Sequence, residues 1–234
     1  MSAQMDAQVR ILESDLVWDD WSRLRRTTLE LRGPDGTWSR QTRETYDRGN
    51  GATILLYEPD ALTVLLVRQF RYPAYVNGHP DGMLLETPAG LLDGDSPEAA
   101  IRREAEEETG VRVRDVEPLF EVFMSPGSVT ERVAFFAGAY RRTDRVSAGG
   151  GIAAEGEQIE VVEVTLDEAL AMITRGEIVD GKTIMLLQWA GATLPDRAAH
   201  GARGVPGSPR TPCERDSRAD HTGRTGRTEE DTSC

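Results

Sequence analysis

The sequence predicts an α+β fold, a mixed α/β/α sandwich that carries a small N-terminal antiparallel β unit. Three observations lead there. Short β-rich runs recur between residues 51 and 164, helical patterns are confined to 97–109, 166–175 and 181–190, and the first fifty residues read as a separate pair of strands. Strands dominate, so the helices are expected to pack outside a sheet.

Taken in order, 17–32 and 37–46 form two strands around the turn Gly33-Pro-Asp-Gly36. A sheet that small is marginal alone. It is therefore expected to dock on the main domain or on another subunit, and a homodimer in which this unit crosses over is the favoured arrangement. The runs 51–57 and 62–68 are strands separated by Glu58-Pro-Asp-Ala61, a hairpin turn. Further strands are expected at 83–87, 119–124, 133–140 and 159–164. No internal repeat is visible. The expected domains are a β unit at 1–49, a main domain at 50–195 and a low-complexity tail at 196–234.

The helix at 97–109 is the most informative element. Asp95 or Ser96 caps its start, Pro97 suits its first turn, and Gly110 suits the left-handed position after its last. Glu104 and Glu108 stand four residues apart, so their carboxylates lie one above the other, with Glu107 beside them and within reach of Arg103. Enclosing that face raises the cost of like charge, and a divalent cation removes it. Oxygen-only ligands suit Mg²⁺ or Mn²⁺ rather than zinc. A solvated acidic helix explains the glutamates alone equally well.

The order of residues around them separates the two readings. The segment runs G-x4-D-x7-R-E-A-x-E-E-T-G-V from Gly90 to Val111, which resembles the signature of the Nudix hydrolases. It departs at two points: the spacer after Gly90 is one residue short, and Asp95 stands where the family usually has Glu. Neither touches the helix glutamates. A narrower likeness covers about residues 10–195. The run 43–57, Arg68-Gln-Phe-Arg71, Tyr75-Val-Asn-Gly78, Glu86-Thr-Pro-Ala-Gly-Leu-Leu-Asp93, Met124-Ser-Pro-Gly127, Ala148-Gly-Gly-Gly151 and Gly176-Glu-Ile-Val-Asp-Gly-Lys182 resemble the GDP-mannose pyrophosphatase subfamily.

That resemblance implies a Nudix-type sandwich, a dimer with an exchanged N-terminal sheet, and Mg²⁺-dependent hydrolysis of GDP-mannose to GMP and mannose 1-phosphate. It places the metal on the carbonyl of Ala89 and on Glu104, Glu108 and Glu157, the three glutamates being the catalytic candidates. A pyrophosphate is shielded by its own charge, so an attacking water needs cations on the phosphate oxygens and a carboxylate to take its proton. Glu157 is preferred over Glu155 because it stands two residues before the strand at 159, the spacing used in the subfamily, although this loop carries about two extra residues.

The same likeness implies substrate contacts at Trp21, Arg43, Glu44, Arg71, Ala89, Gly90, Leu91, Glu131, Glu157 and Lys182. Glu131 is the competing base. Arg71 and Lys182 would grip phosphates, and Trp21 could stack on guanine. The bland alternatives are a strand-start acid for Glu131, surface ion pairs for Arg71 and Lys182, and packing for Trp21.

Composition bounds the rest. The net charge is −13, which argues against nonspecific nucleic-acid binding. From Asp196 onward seven Arg balance seven Asp and Glu, so the acidity belongs to the residues before it. The tail has almost no large apolar residues, is expected to be disordered, and is assigned no catalytic role. Cys213 and Cys234 are the only cysteines, in keeping with a reducing compartment. No run of eighteen apolar residues occurs and residues 1–10 lack the apolar core of a signal peptide, so no membrane partner and a cytoplasmic location are expected. Alternative functions are hydrolysis of ADP-ribose or another nucleotide sugar, a nucleotide-sugar sensor that does not hydrolyse, and an acidic structural domain. The glutamate cluster counts against a sensor, which has no need of it.

Overall fold

The computed structural model describes residues 8–152 and 158–199, with side chains to 195. Among the described residues ten strands and four α-helices follow one another: β1 (Val9–Asp19), β2 (Arg23–Arg32), β3 (Trp38–Asp47), β4 (Gly51–Glu58), β5 (Thr63–Phe70), α1 (Tyr72–Val76), β6 (Met83–Glu86), β7 (Ala89–Leu91), α2 (Pro97–Thr109), β8 (Glu117–Phe123), β9 (Arg132–Ala139), β10 (Glu160–Thr165), α3 (Leu166–Arg175) and α4 (Gly181–Ala199).

The central sheet runs β10-β5-β4-β9-β8, with β6 on β5 and β7 on β4. All its pairs are antiparallel except β4 with β9, where Gly51 stands opposite Val133. Alternation along the strands divides the core between two faces. Leu55, Val64, Leu66 and Phe135 point to one side and pack with Leu166 of α3 and Leu186 and Leu187 of α4. Ile54, Leu56, Leu65 and Phe136 point to the other side and pack with Ile101 and Ala105 of α2. Each large apolar side chain among these contributes roughly 1.5–3 kcal/mol relative to exposure. The expected mixed α/β/α sandwich is therefore the observed one.

The N-terminal unit is a separate antiparallel sheet, β1-β2-β3. It has three strands where two were expected. The run 17–32 is broken by a tight turn, in which the Asp20 amide donates to the Ser22 carbonyl (3.2 Å), and it divides between β1 and β2. β1 escaped notice because its register shifts between Ile11 and Glu13 and again between Leu16 and Trp18, which destroys the strict alternation by which a strand is read. The unit joins the main domain through Tyr46, whose amide donates to the Ser128 carbonyl (2.8 Å) and whose carbonyl accepts the Thr130 amide (3.0 Å).

Three further differences are small. The one-turn helix α1 and the three-residue β7 are too short to show a period. Leu62, expected to open a strand, lies in the turn with φ 50°, and β5 starts at Thr63. α4 runs through Pro195 to Ala199, past the expected domain end at 195. The remainder of the expected tail, from 200, lies outside the described residues, as do Glu155 and Glu157.

Candidate functional site

α2 starts where the sequence indicates. The Ser96 hydroxyl accepts the Ala99 amide (3.3 Å), Pro97 opens the first turn, and Gly110 closes the helix in the left-handed region at φ 73°. Ala100, Ile101, Ala105, Glu108 and Thr109 form its buried face. Glu108 therefore points inward at 2% exposure, and its carboxylate accepts the Ala89 amide of β7 (3.2 Å). One turn earlier Glu104 lies against the same short strand: a Cβ on Gly90 would stand 2.2 Å from the Glu104 carboxyl carbon, so no other residue fits there without displacing that carboxylate. The Arg103 guanidinium sits 3.0 Å from Glu104 and 3.1 Å from Glu107. Glu106 faces outward and pairs with Arg112 through two hydrogen bonds.

A second charged cluster faces this one. Arg71, where β5 enters α1, donates from Nε (2.9 Å) and Nη2 (2.7 Å) to the two oxygens of Glu86, the last residue of β6. Lys182, in the first turn of α4, donates to the same carboxylate (2.7 Å) and lies 3.0 Å from Asp180. Glu86 is 2% exposed. Burial alone would push its pKa up, but the Arg71 hydrogen bonds and the Lys182 and Arg71 charges outweigh it and hold the carboxyl below its ordinary value. Burial acts to lower the pKa of Arg71, and the bonds and charge of Glu86 reverse that, keeping the guanidinium charged.

Beneath both clusters runs a buried chain of hydroxyls. Thr183 donates to Asp180 (2.7 Å) and accepts the Thr87 amide (2.7 Å), while the Thr53 hydroxyl lies 2.9 Å from that of Thr87 and donates to the Pro88 carbonyl (3.0 Å). It ties β4, the β6–β7 corner and the start of α4 together just behind Ala89.

Both clusters open on one cavity of about 1340 Å³, larger than is usual for a small-ligand pocket. Of the residues picked out in the sequence, Trp21, Arg71, Ala89, Gly90, Leu91, Glu104, Glu131 and Lys182 line it. Glu108 lies behind Ala89. Trp21 is 70% exposed on the β1–β2 turn, so it is not packed within this chain, and the Arg48 guanidinium lies 5.9 Å from its ring. Arg48 also pairs with the half-buried Glu131 (3.2 Å). Arg43 and Glu44 are not brought to this cavity. They lie on β3, where Arg43 bonds Gln41 and the Thr42 carbonyl and Glu44 pairs with Arg26.

Three lining residues went unnoticed as chemistry: Glu86, Asp180 and Arg48. A signal for Glu86 was present, since a lone acid closes the apolar run Met83-Leu-Leu. Nothing local marks Arg48 or Asp180.

The sandwich, and the helix that sets glutamates against an Ala-Gly strand, define a Nudix hydrolase. Residues 47–187 match the NUDIX domain, and the chain belongs to that family. Residues 8–46 match the family described as GDP-mannose pyrophosphatase NudK N-terminal domain. Relatives that carry the name GDP-mannose pyrophosphatase include those of two Yersinia species and of Klebsiella pneumoniae. That of Yersinia enterocolitica is 56% identical over 186 residues, covering 80% of this chain and 96% of the relative. Those of Yersinia pestis and Klebsiella pneumoniae are 53% and 51% identical, covering 80% and 79% of this chain and 93% and 92% of the relatives.

Proposed function

We propose that the chain hydrolyses the pyrophosphate bond of GDP-mannose, releasing GMP and mannose 1-phosphate. The observation that carries this is that one cavity is lined both by Glu104 of α2, with Glu108 buried just behind Ala89, and by the Arg71–Lys182 pair. The names of the relatives and the match at 8–46 support the choice of substrate.

The residues suit a hard divalent ion. Glu104, Glu108 and the Ala89 carbonyl would hold Mg²⁺, with Mn²⁺ as a substitute and Glu157 as a further ligand. Among the described residues no three acids gather into a metal cage, and Mg²⁺ is usually held by one or two carboxylates with waters and substrate phosphates completing its shell. When bound, the ion withdraws charge from the phosphate oxygens and acidifies a bound water.

The chain's own groups do the rest. Arg71 and Lys182 hold the phosphates, and Glu157 accepts the proton of the attacking water, with Glu131 and Glu155 as competitors. Glu157→Gln is expected to lower turnover more than Glu155→Gln. Trp21 offers an aromatic face at the cavity rim for the base.

Outside the site, residues 1–49 serve as the dimer-forming unit, 50–195 as the catalytic domain, and 196–234 take no part in catalysis. Val9, Ile11, Leu12, Leu16, Val17 and Trp18 of β1 are all exposed, more apolar surface than one strand usually leaves in water. A crossed homodimer would cover it and carry Arg43 and Glu44 towards the partner's cavity. Light scattering should then give twice the 25.8 kDa chain mass; a monomer at micromolar concentration ends the proposal. The cysteine pattern supports a reducing, cytoplasmic location.

A panel of nucleotide sugars hydrolysed with Mg²⁺ in H₂¹⁸O, with the label located by mass spectrometry, tests the reaction. GMP release from GDP-mannose is expected to exceed AMP release from ADP-ribose. The opposite order would reassign the substrate, and binding without turnover would make the chain a sensor.

A further inference from the structure

We infer that Glu86 is a positioning residue, holding the Arg71 guanidinium and the Lys182 ammonium in place as a preformed two-cation grip for the substrate's pyrophosphate. The inference rests on the phosphate-binding reading of this cavity.

The geometry is specific. Both Glu86 oxygens are engaged by Arg71, through Nε and Nη2, so the plane of the guanidinium is fixed and Nη1 takes no part in that pairing. Lys182 reaches the same carboxylate from α4, and Asp180 takes a second direction of its ammonium. Glu86 lines the cavity but is only 2% exposed, its two oxygens covered by the cations, whereas Arg71 is 38% exposed. A flexible arginine and lysine brought from separate elements are thus set before any anion arrives, which lowers the ordering cost of binding.

Charge counting sharpens the matter. Arg71 and Lys182 carry two positive charges, and Glu86 and Asp180 carry two negative ones, so the four-residue cluster has no net charge. An anion is therefore attracted by the aim of the donors and not by an excess of positive charge. Removing the Glu86 charge makes the cluster one unit more positive. If simple attraction governed binding, a neutral residue at 86 would tighten it; if positioning governs, the same change loosens it. The two readings differ in sign.

The test is calorimetric titration of inorganic pyrophosphate into wild-type protein and Glu86→Gln with Mg²⁺ present, beside steady-state kinetics on GDP-mannose. Binding of pyrophosphate is expected to weaken, and KM to rise, by about tenfold or more, with kcat changed much less and Glu86→Asp intermediate. Unchanged or tighter pyrophosphate binding by a folded Glu86→Gln overturns the proposal.

Where that variant does not fold, the neutralised pair Glu86→Gln with Lys182→Met is compared with Lys182→Met alone. Weaker binding by the pair supports an action of Glu86 on Arg71, and equal binding overturns it. Wild-type protein that binds pyrophosphate but leaves GDP-mannose intact overturns the substrate assignment and not the role of Glu86. Wild-type protein that binds no pyrophosphate overturns both.

Discussion

At the scale of the residue, the site depends on one hydrogen atom where other amino acids carry a carbon. Gly90→Ala would place its Cβ 2.2 Å from the Glu104 carboxyl carbon. Glu104 would swing away, and a misplacement of about 1 Å can cost up to about a hundredfold in rate. Turnover of Gly90→Ala is expected to fall by about tenfold or more while its circular dichroism stays that of the wild type. Glu108→Gln keeps the shape of the side chain and removes its charge, so kcat should drop by orders of magnitude without loss of fold; near-normal turnover at saturating Mg²⁺ would sink the assignment. Glu104, Glu107, Glu108 and their arginine were legible because i to i+4 spacing on a capped helix fixes which carboxylates share a face. Glu86 was not, since its partners Arg71 and Lys182 lie 15 and 96 residues away and only the fold assembles them.

Among the elements, α2 shows how a turn outside a helix fixes its working end. Gly110 in the left-handed region lets the chain fold back, so that the Gly150 amide donates to the Glu108 carbonyl (2.9 Å) and the Gly151 amide to the Glu107 carbonyl (3.1 Å). Carbonyls left without a partner at a helix C-terminus are thereby satisfied by the Gly-rich loop. Gly110→Ala carries the left-handed cost of about 1–2 kcal/mol and a Cβ 2.2 Å from the Ser147 carbonyl oxygen as well. Its urea midpoint should fall by more than the left-handed cost alone implies. α2 could be read from its cap, its proline and its closing glycine. β1 could not, because two register shifts erase the alternation on which the reading depends.

Across the whole molecule, the sheet was legible because alternate residues of β4, β5 and β9 feed opposite cores, leaving runs in which every position is apolar. The sheet's far edge supplies a prediction about pH. Tyr140, just after β9, donates to Glu163 of β10 (3.0 Å), which also accepts the Thr63 hydroxyl of β5 (2.9 Å). Burial, with the Glu163 carboxylate, pushes the Tyr140 phenol up from 10.0 to about 12. The folded chain thus keeps this proton after the unfolded chain has lost it. The stabilisation is complete below pH 10 and disappears as pH rises towards 12. Between those values the urea midpoint of the wild type should fall more steeply than that of Tyr140→Phe, and equal slopes would contradict the shift.

The threonine chain behind Ala89 has a consequence for how slowly protons leave the molecule. Thr87 lies between β6 and β7, in no helix or strand, where backbone amides ordinarily trade hydrogen with solvent within the first minutes. Its amide is bonded to the Thr183 hydroxyl at 2.7 Å, and both residues are fully buried. That proton can escape only when α4 lifts from the sheet, so its deuterium uptake should match the slowest amides of β4 and β5. If it does, the corner carrying Ala89 and Gly90 opens only with the core itself.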